Sequence, residues 1–250
     1  MEPKGRIKRI FRRYIDKDIQ KMILPLQMMQ TICLNPKFSL KNNFIKPNNI
    51  ANNLLAVVGV IFFVSLLIYR ICDMMLDENL RRYQTVNFLY FATCVDSFFY
   101  GCGFIMNFIL HFVHTMNNVN IILIFQEIHR HINDKASSNM AVFRNYVIVS
   151  MVFAFQTAAS IYVYIVYMHP PWYVVCYVLV LISLDSNIAY SVCFMKLIAD
   201  KLVLWNAKLL WSLQHGSHVM RCKKMARAYV QILNCFDVYK NIFELPVSIR

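Results

Sequence analysis

The fold is decided by residues 145–184, which read NYVIVSMVFAFQTAASIYVYIVYMHPPWYVVCYVLVLISL. These 40 residues include no charged side chain. At about 1.5 Å per residue, one helix of this length would be about twice as long as the roughly 30 Å hydrocarbon core of a bilayer. The sequence His169-Pro170-Pro171 interrupts the stretch, and proline cannot continue a helix. The stretch therefore predicts two membrane spans, at about residues 146–168 and 172–195, joined by a tight turn.

Two further uncharged stretches predict two more spans. Residues 47–69 carry no formal charge, and Asp96 is the only charged residue between Tyr83 and Gln126. Since a helix needs about 20 apolar residues to cross a bilayer, spans are expected at about residues 50–70 and 86–113. The predicted fold class is therefore all-α, a polytopic bundle of four transmembrane helices.

The composition indicates a chain whose solvent is largely lipid. Hydrophobic residues make up 58% of the 250 residues and charged residues only 16%, whereas a soluble globular domain carries about 25% charged residues. With 5 glycines and 7 prolines, the chain is neither collagen-like nor disordered. An ordinary soluble domain is excluded on the same grounds.

The basic residues indicate how the bundle is oriented. The formal net charge is +13, and 23 of the 26 Lys and Arg residues lie before the first span, between the second and third spans, or after the fourth. Basic loops stay in the cytoplasm during insertion. Both ends of the chain are therefore expected inside, with residues 1–49 forming a cytoplasmic basic segment with short helices. The run of basic residues at 5–13 is interpreted as a juxtamembrane segment that contacts anionic lipid, so no nucleic-acid partner is predicted.

Residues 196–250 predict a cytoplasmic hairpin of two amphipathic helices, which leads towards a fifth span. Apolar residues recur there at steps of three and four, and Gly216 separates the two helices. Such helices lie on a membrane or pack on each other and on partner subunits, and packing is the interpretation preferred here. The residues expected to pack are Leu202, Trp205, Leu209, Tyr229, Ile232, Phe236 and Tyr239.

No enzyme, cofactor or metal site is predicted. The eight cysteines form no zinc-binding spacing, and the histidines at 111, 114, 129 and 131 are typical of interfaces and loops. No nucleophile and base occur at a shared depth in the predicted bundle.

Two segments carry a resemblance to a known family. Residues 19–48 read IQKMILPLQMMQTICLNPKFSLKNNFIKPN, and residues 229–247 read YVQILNCFDVYKNIFELPV. The first resembles the amino-terminal region of insect gustatory receptors, and the second is similar to the helix that leads into their fifth span. Residues 197–210 look like the family's cytoplasmic extension of the fourth helix. The spans themselves match only in hydropathy.

The resemblance implies a taste receptor subunit of the plasma membrane. Members of the family have seven spans and form tetrameric, ligand-gated cation channels, whose pore is lined by a later span than any found here. These 250 residues contain four predicted spans and no Thr-Tyr signature of the last span, so a partial or short form is expected. The expected partners are a small tastant (a bitter compound or a sugar), the lipid bilayer and other receptor subunits, in a homo- or hetero-oligomer.

Polar and aromatic residues within the spans are the candidate ligand contacts. Asp96 and Asp185 are the only acids in the spans, and a carboxylate in lipid must find an interior partner or water. In the family the ligand pocket lies among the outer halves of the spans. The matching residues here are Gln156, Ser160, Tyr164, Tyr167, Trp172 and Tyr177. Two plainer interpretations remain open: structural hydrogen-bonded carboxyls, and an aromatic belt at the membrane interface.

Two other functions remain open beside the receptor. One is a non-conducting accessory or dominant-negative subunit, in which four spans and an assembly hairpin pair with full-length subunits. The other is an unrelated four-span membrane protein, such as a transporter fragment.

Overall fold

The computed structural model describes residues 14–41, 43–76, 85–132, 134–166, 172–214 and 219–243. Within the helices, the side chains of residues 85–90, 172–181 and 219–222, and those at a few single positions such as 96, lie outside the description. The predicted turn at residues 169–171, the glycine break at 216 and the basic run at 5–13 also lie outside the described residues.

The described part of the chain consists of seven helices and one short hairpin. The hairpin joins β1 and β2 in an antiparallel pair with Leu40 opposite Ile45. In chain order the elements are α1 (Lys17–Ile32), β1 (Ser39–Lys41), β2 (Phe44–Lys46), α2 (Ile50–Leu76), α3 (Thr85–Val113), α4 (Thr115–His131), α5 (Lys135–Val166), α6 (Trp172–Gln214) and α7 (Val219–Phe243). The prediction of an all-α fold is confirmed.

The predicted spans lie in α2, α3, α5 and α6, apart from residues 167–168 of the third span, which are outside the described residues. Two stretches of the described chain, Ile50–Asp73 and Lys135–Tyr162, have the length and apolar composition that crossing a bilayer requires. A shorter apolar stretch, Ser97–Ile109, lies in α3. These helices expose many large apolar side chains, such as Ile61, Phe98 and Phe155, as lipid-facing helices do.

The segment between the second and third predicted spans contains a helix for which the sequence analysis offers no prediction. Residues 115–131 form α4, whose apolar face is completely buried. Val119, Ile122, Phe125 and Ile128 recur at steps of three, so one face of the helix is apolar. That face packs against α6 and α7 in the largest core of the described chain.

Helix α1 does not stand apart from the predicted bundle. Gln30 donates a hydrogen bond from Nε2 to the carbonyl oxygen of Ser186 (2.9 Å), and Asn145 donates from Nδ2 to that of Met22 (2.9 Å). Ser186 lies near the middle of the fourth predicted span. The carboxyl end of α1 therefore lies beside that predicted span, and the cytoplasmic location of residues 1–49 stays a prediction.

Gly59 of α2 allows the turn after α1 to approach closely. Leu34 in that turn has a left-handed backbone with φ of 59°. A Cβ on Gly59 would lie 3.1 Å from the Cβ of Leu34, closer than ordinary packing allows. Glycine is therefore the residue that lets α2 and the turn touch at this point.

The predicted hairpin is present as two helical arms, and the first arm is not a separate helix. Helix α6 runs for 43 residues, from the fourth predicted span to Gln214. Trp205 in α6 donates from Nε1 to the carbonyl oxygen of Met225 (2.9 Å), and Tyr239 in α7 donates from its hydroxyl to that of Ser191 (3.2 Å). The face of α7 that is buried comprises Met225, Ala228, Ile232, Cys235 and Ile242.

Replacing Phe125 with alanine should destabilise the fold strongly. Phe125 is fully buried and its ring centroid lies 5.7 Å from that of Phe194. Removing such a ring leaves a cavity and typically costs about 3–5 kcal/mol. The measurement is the free energy of unfolding of the protein in detergent micelles. Phe143→Ala is the matched control, because Phe143 is 71% exposed and its loss should cost less than about 0.5 kcal/mol.

Candidate functional site

Gln156 and Asp185 form a polar contact between α5 and α6. The Nε2 of Gln156 donates a hydrogen bond of 2.6 Å to Oδ2 of Asp185. The Gln156 side chain is 5% exposed, whereas Asp185 is an exposed residue. Both residues lie near the middle of stretches that are otherwise uncharged. Two of the residues named from sequence are therefore in direct contact.

This contact satisfies only part of the hydrogen-bonding capacity of the carboxylate. An ionised carboxylate accepts at two oxygens and about four lone pairs, and the amide of Gln156 occupies one of these positions. Because Asp185 is exposed, the rest of its carboxylate is accessible to a hydroxyl or amino group outside the described chain. The pair can thus hold a polar group of a ligand against an apolar surface.

Ser160 and Tyr164 follow Gln156 on the same face of α5. Steps of four residues place them about one and two helical turns further along. The Ser160 hydroxyl donates to the carbonyl oxygen of Gln156 (2.8 Å), so its donor is used within its own helix. Tyr164 is 53% exposed. Ser160 can therefore only accept a hydrogen bond from a ligand, while Tyr164 offers an aromatic surface.

The side chains of the remaining predicted ligand residues lie outside the description. Tyr167 falls in the undescribed segment between α5 and α6. Asp96 in α3 and both Trp172 and Tyr177 in α6 belong to described helices, but their side chains do not belong to the description. Their roles stay predictions from sequence.

Helix α1 and the turn after it contribute polar groups that bind another face of α6 and that were not foreseen. Ser183 donates from its hydroxyl to the carbonyl oxygen of Cys33 (3.3 Å), and Asn35 donates from Nδ2 to Oδ1 of Asn187 (3.5 Å). These α6 residues lie within one turn of Asp185 along the helix. Gln30 and Asn35 are buried. Because other polar residues such as Gln27 and Thr31 lie in the same segment, the sequence alone does not single these two amides out.

A small cavity adjoins this network. Its volume is about 20 Å³, and it is bounded by the turn after α1 and by α2, α3 and α6, with Asn35, Asn107 and Ser183 as polar groups in its wall. A water molecule needs at least about 10–15 Å³ and two to four polar partners. The cavity therefore fits one water molecule and is too small for a tastant.

The residues predicted to pack in the cytoplasmic hairpin fall into two groups. Ile232 is buried, and Trp205 and Tyr239 pack against the main core while remaining partly accessible. The Trp205 ring stacks on the ring of Tyr229, with centroids 4.9 Å apart. The residues that are not buried are Leu209, which is half-buried, and Leu202, Tyr229 and Phe236, which are exposed.

A buried histidine lies where α1, α4 and α6 meet. His129 is 2% exposed, and within the described chain neither ring nitrogen has a hydrogen-bond partner. Burial, followed by the positive charge of Lys201, lowers its pKa to about 4, although the carboxylates of Asp16 and Asp18 act in the opposite direction. His129 is therefore neutral near pH 7.

Arg130 holds the start of α1 in the same region. Its Nε and Nη2 donate to the two carboxylate oxygens of Asp16 (2.7 and 2.8 Å). This bidentate hydrogen bond lowers the pKa of Asp16. Gln126 adds two bonds to the same segment, donating to the carbonyl oxygen of Tyr14 (2.8 Å) and accepting from the amide of Asp16 (3.0 Å).

No group of three His, Cys, Asp or Glu side chains that could hold a metal ion occurs in the described part of the chain. Comparison with known proteins finds no match among protein-family models, curated proteins or solved structures.

The contact between Gln156 and Asp185 should appear as a coupling energy. In a double-mutant cycle with Gln156→Ala and Asp185→Ala, we expect about 1 kcal/mol, the usual size for an interhelical hydrogen bond in a membrane protein. The readout is unfolding in detergent micelles. Thr157→Ala paired with Asp185→Ala is the control: Thr157 donates within its own helix (2.8 Å to Phe153), so its coupling should be near zero. Equal coupling in both cycles would contradict the assigned contact.

His129 should make the protein sensitive to acid. The unfolded chain binds the imidazole proton with an ordinary pKa of about 6.5, whereas the folded chain binds it only near pH 4. The contribution of His129 to the free energy of unfolding is therefore fully present above about pH 6.5. It is lost as the pH falls towards 4, by an amount on the order of 3 kcal/mol.

The check is the unfolding free energy as a function of pH for His129→Leu. This variant should lose the part of the acid sensitivity that His129 contributes. His131→Leu is the matched control, since His131 is exposed two residues away and should leave the pH profile unchanged. A His129→Leu profile identical to that of the unmodified protein would rule out this origin.

Proposed function

We propose that the chain is a subunit of a membrane chemoreceptor of the insect gustatory type. In this proposal four helices cross the plasma membrane with the amino terminus in the cytoplasm, and a small tastant binds in the outer half of the bundle. The observation that carries the proposal is the Gln156–Asp185 pair, an accessible carboxylate placed between two apolar helices.

The arrangement of charges supports the membrane setting. A carboxylate within a span is costly and commonly marks a functional site. Asp185 is held by the amide of Gln156 while remaining accessible, and Tyr164 on the same face of α5 is exposed. An apolar surface with a few fixed polar groups is the usual composition of a small-molecule site.

Helix α6 offers a route from this site to the cytoplasmic bundle. It is unbroken from Trp172 to Gln214, so Asp185 and Trp205 lie about 30 Å apart on one rigid element. A ligand that contacts α5 and α6 differently in two states shifts the equilibrium between those states. A shift of α6 relative to α5 would then change the position of α7, which binds α6 through Trp205 and Tyr239.

A non-conducting accessory subunit is the second candidate, and a specific observation favours it. The cytoplasmic parts of α6 and α7 expose large apolar side chains that no described element covers. These include Val203, Leu210, Val230, Leu233 and Phe236, each more than 40% exposed. Exposed apolar residues of this size are typical of a surface that binds another chain.

The test is co-expression with a full-length receptor subunit of the same family, with tastant-evoked current as the readout. If the chain contributes a ligand site, Asp185→Asn should raise the half-maximal tastant concentration by about tenfold to a hundredfold, the value of one hydrogen bond to a charged group. Thr157→Ala, one residue from Gln156 on the exposed surface, should leave the response unchanged.

Two other outcomes separate the candidates. An accessory subunit predicts that the chain changes the current amplitude, that Asp185→Asn behaves like the unmodified chain, and that Leu233→Asp abolishes the effect. A response of the full-length subunit that is the same with and without the chain, for every sugar and bitter compound applied, would contradict both proposals.

A further inference from the structure

A groove between α5 and α6 lies on the side of the molecule opposite to the predicted outer pocket. Its volume is about 560 Å³, and its wall is formed by Asp134, residues 136–144 of α5 and residues 196–207 of α6. Arg144 and Lys196 line one end and Asp134 the other, with Met140 and Val203 between them. The groove is far larger than the water-sized cavity near Ser183.

Three charged side chains meet at the first end of the groove. Asp200 accepts hydrogen bonds from Nη1 of Arg144 (2.5 Å) and from Nζ of Lys196 (3.2 Å). One carboxylate therefore holds two cations, and this end carries a net positive charge. Two further donors of Arg144, Nε and Nη2, are buried and have no partner within the described chain. A ligand reaches these two donors only if the Arg144 side chain turns towards the groove, whereas the Lys196 side chain is 57% exposed and is directly accessible.

The acidic residues of the groove do not cancel the positive charge that favours an anionic ligand. Asp134 accepts hydrogen bonds from the amides of Ala136 and Ser137 (both 3.3 Å), so its carboxylate caps the start of α5. Lys201 lies close enough to Asp134 and Asp200 to interact with both, and its amino group is buried without a partner in the described chain. Lys208 adds a further positive charge beside Lys201.

The position of the groove limits what it binds. The third span is predicted to start at residue 146 and the fourth to end at residue 195, on the cytoplasmic side. Arg144 and Lys196 therefore lie within two residues of the predicted inner boundary, at about the depth of the lipid phosphates. The rest of the groove extends from there into the cytoplasm.

We propose that this groove binds the phosphorylated headgroup of an anionic phospholipid of the inner leaflet. The lipid phosphate accepts hydrogen bonds from Nζ of Lys196 and, once the Arg144 side chain turns towards the groove, from the guanidinium of Arg144, and the headgroup fills the groove towards the start of α5. Basic pockets between transmembrane helices on the cytoplasmic side suit such headgroups. The inference rests on the proposed function only for the orientation of the helices in the membrane.

The experiment measures lipid binding by the purified full chain with native mass spectrometry in detergent micelles. The probes are phosphatidylinositol bisphosphate, phosphatidylserine, phosphatidylcholine and soluble inositol trisphosphate. We expect the affinity to fall in the order of the first three, and the soluble headgroup to bind more weakly than the first lipid. Each of Arg144→Gln and Lys196→Gln should weaken binding of the bisphosphate lipid by roughly tenfold or more, as expected for a charge-assisted hydrogen bond.

Three variants distinguish specific lipid binding in the groove from a loss of folding and from a change in the overall positive charge of the protein. Lys196→Gln leaves the Arg144–Asp200 pair in place, so it serves as the variant expected to fold normally. Arg144→Lys keeps the charge but removes the Nε and Nη2 donors, and should weaken binding less than Arg144→Gln. The double variant Lys223→Gln and Lys224→Gln removes two exposed positive charges of α7 and should bind the lipid as the unmodified protein does.

Specific results would overturn the inference. These are unchanged lipid binding in the Arg144→Gln and Lys196→Gln double variant, an equal loss in the α7 double variant, or soluble inositol trisphosphate binding as tightly as the lipid. The last result would assign the groove to a free phosphate compound. None of these measurements uses a tastant or a current, so a failed receptor proposal and a failed lipid proposal are distinguishable.

Discussion

The contact of Phe125 with Phe194 is the interaction on which the rest of the described structure depends. It joins α6 to the apolar face of α4, which packs mainly against α7, and the side chains that follow Phe125 on α4 then reach their partners. Gln126 binds the backbone at the start of α1, His129 lies near Lys201, and Arg130 binds Asp16. Once α1 starts at this point, its other end lies beside Ser186. A helix outside the predicted spans thus fixes how the amino-terminal segment meets the predicted bundle.

The sequence pattern predicts four spans but does not predict helix α4, because the two kinds of helix differ in how their residues are distributed. Absence of charge is a local property, and it marks a lipid-compatible helix without reference to any partner. Helix α4 contains Asn118, Gln126 and His129 among its buried residues, so polar residues interrupt its apolar sequence. Its apolar residues do recur at helical steps, and that signal was available. The bonds of α1 to α4, α5 and α6 join residues more than 100 positions apart, and no local pattern specifies such partners.

The sequence also allows the prediction that Gln156 and Asp185 lie at the same level of neighbouring helices. The turn predicted at residues 169–171 makes α5 and α6 antiparallel neighbours, so residues at equal distances from it lie at the same level. Gln156 precedes Pro170 by 14 positions and Asp185 follows it by 15. The sequence named both residues from their polarity alone. It could not show that Asp185 stays accessible, because exposure depends on the packing of all the neighbouring helices.

The same two helices are joined by both polar contacts, and this gives the two proposed sites a common element. Gln156–Asp185 and Arg144–Asp200 connect α5 with α6 at positions about 22 Å apart along α6. A ligand that moves α5 relative to α6 at the first contact also changes the distance between the helices at the second. Thermodynamic linkage then requires reciprocity: if the tastant changes the affinity for lipid, the lipid changes the affinity for the tastant by the same factor. The continuous helix α6 is the element through which that coupling would act.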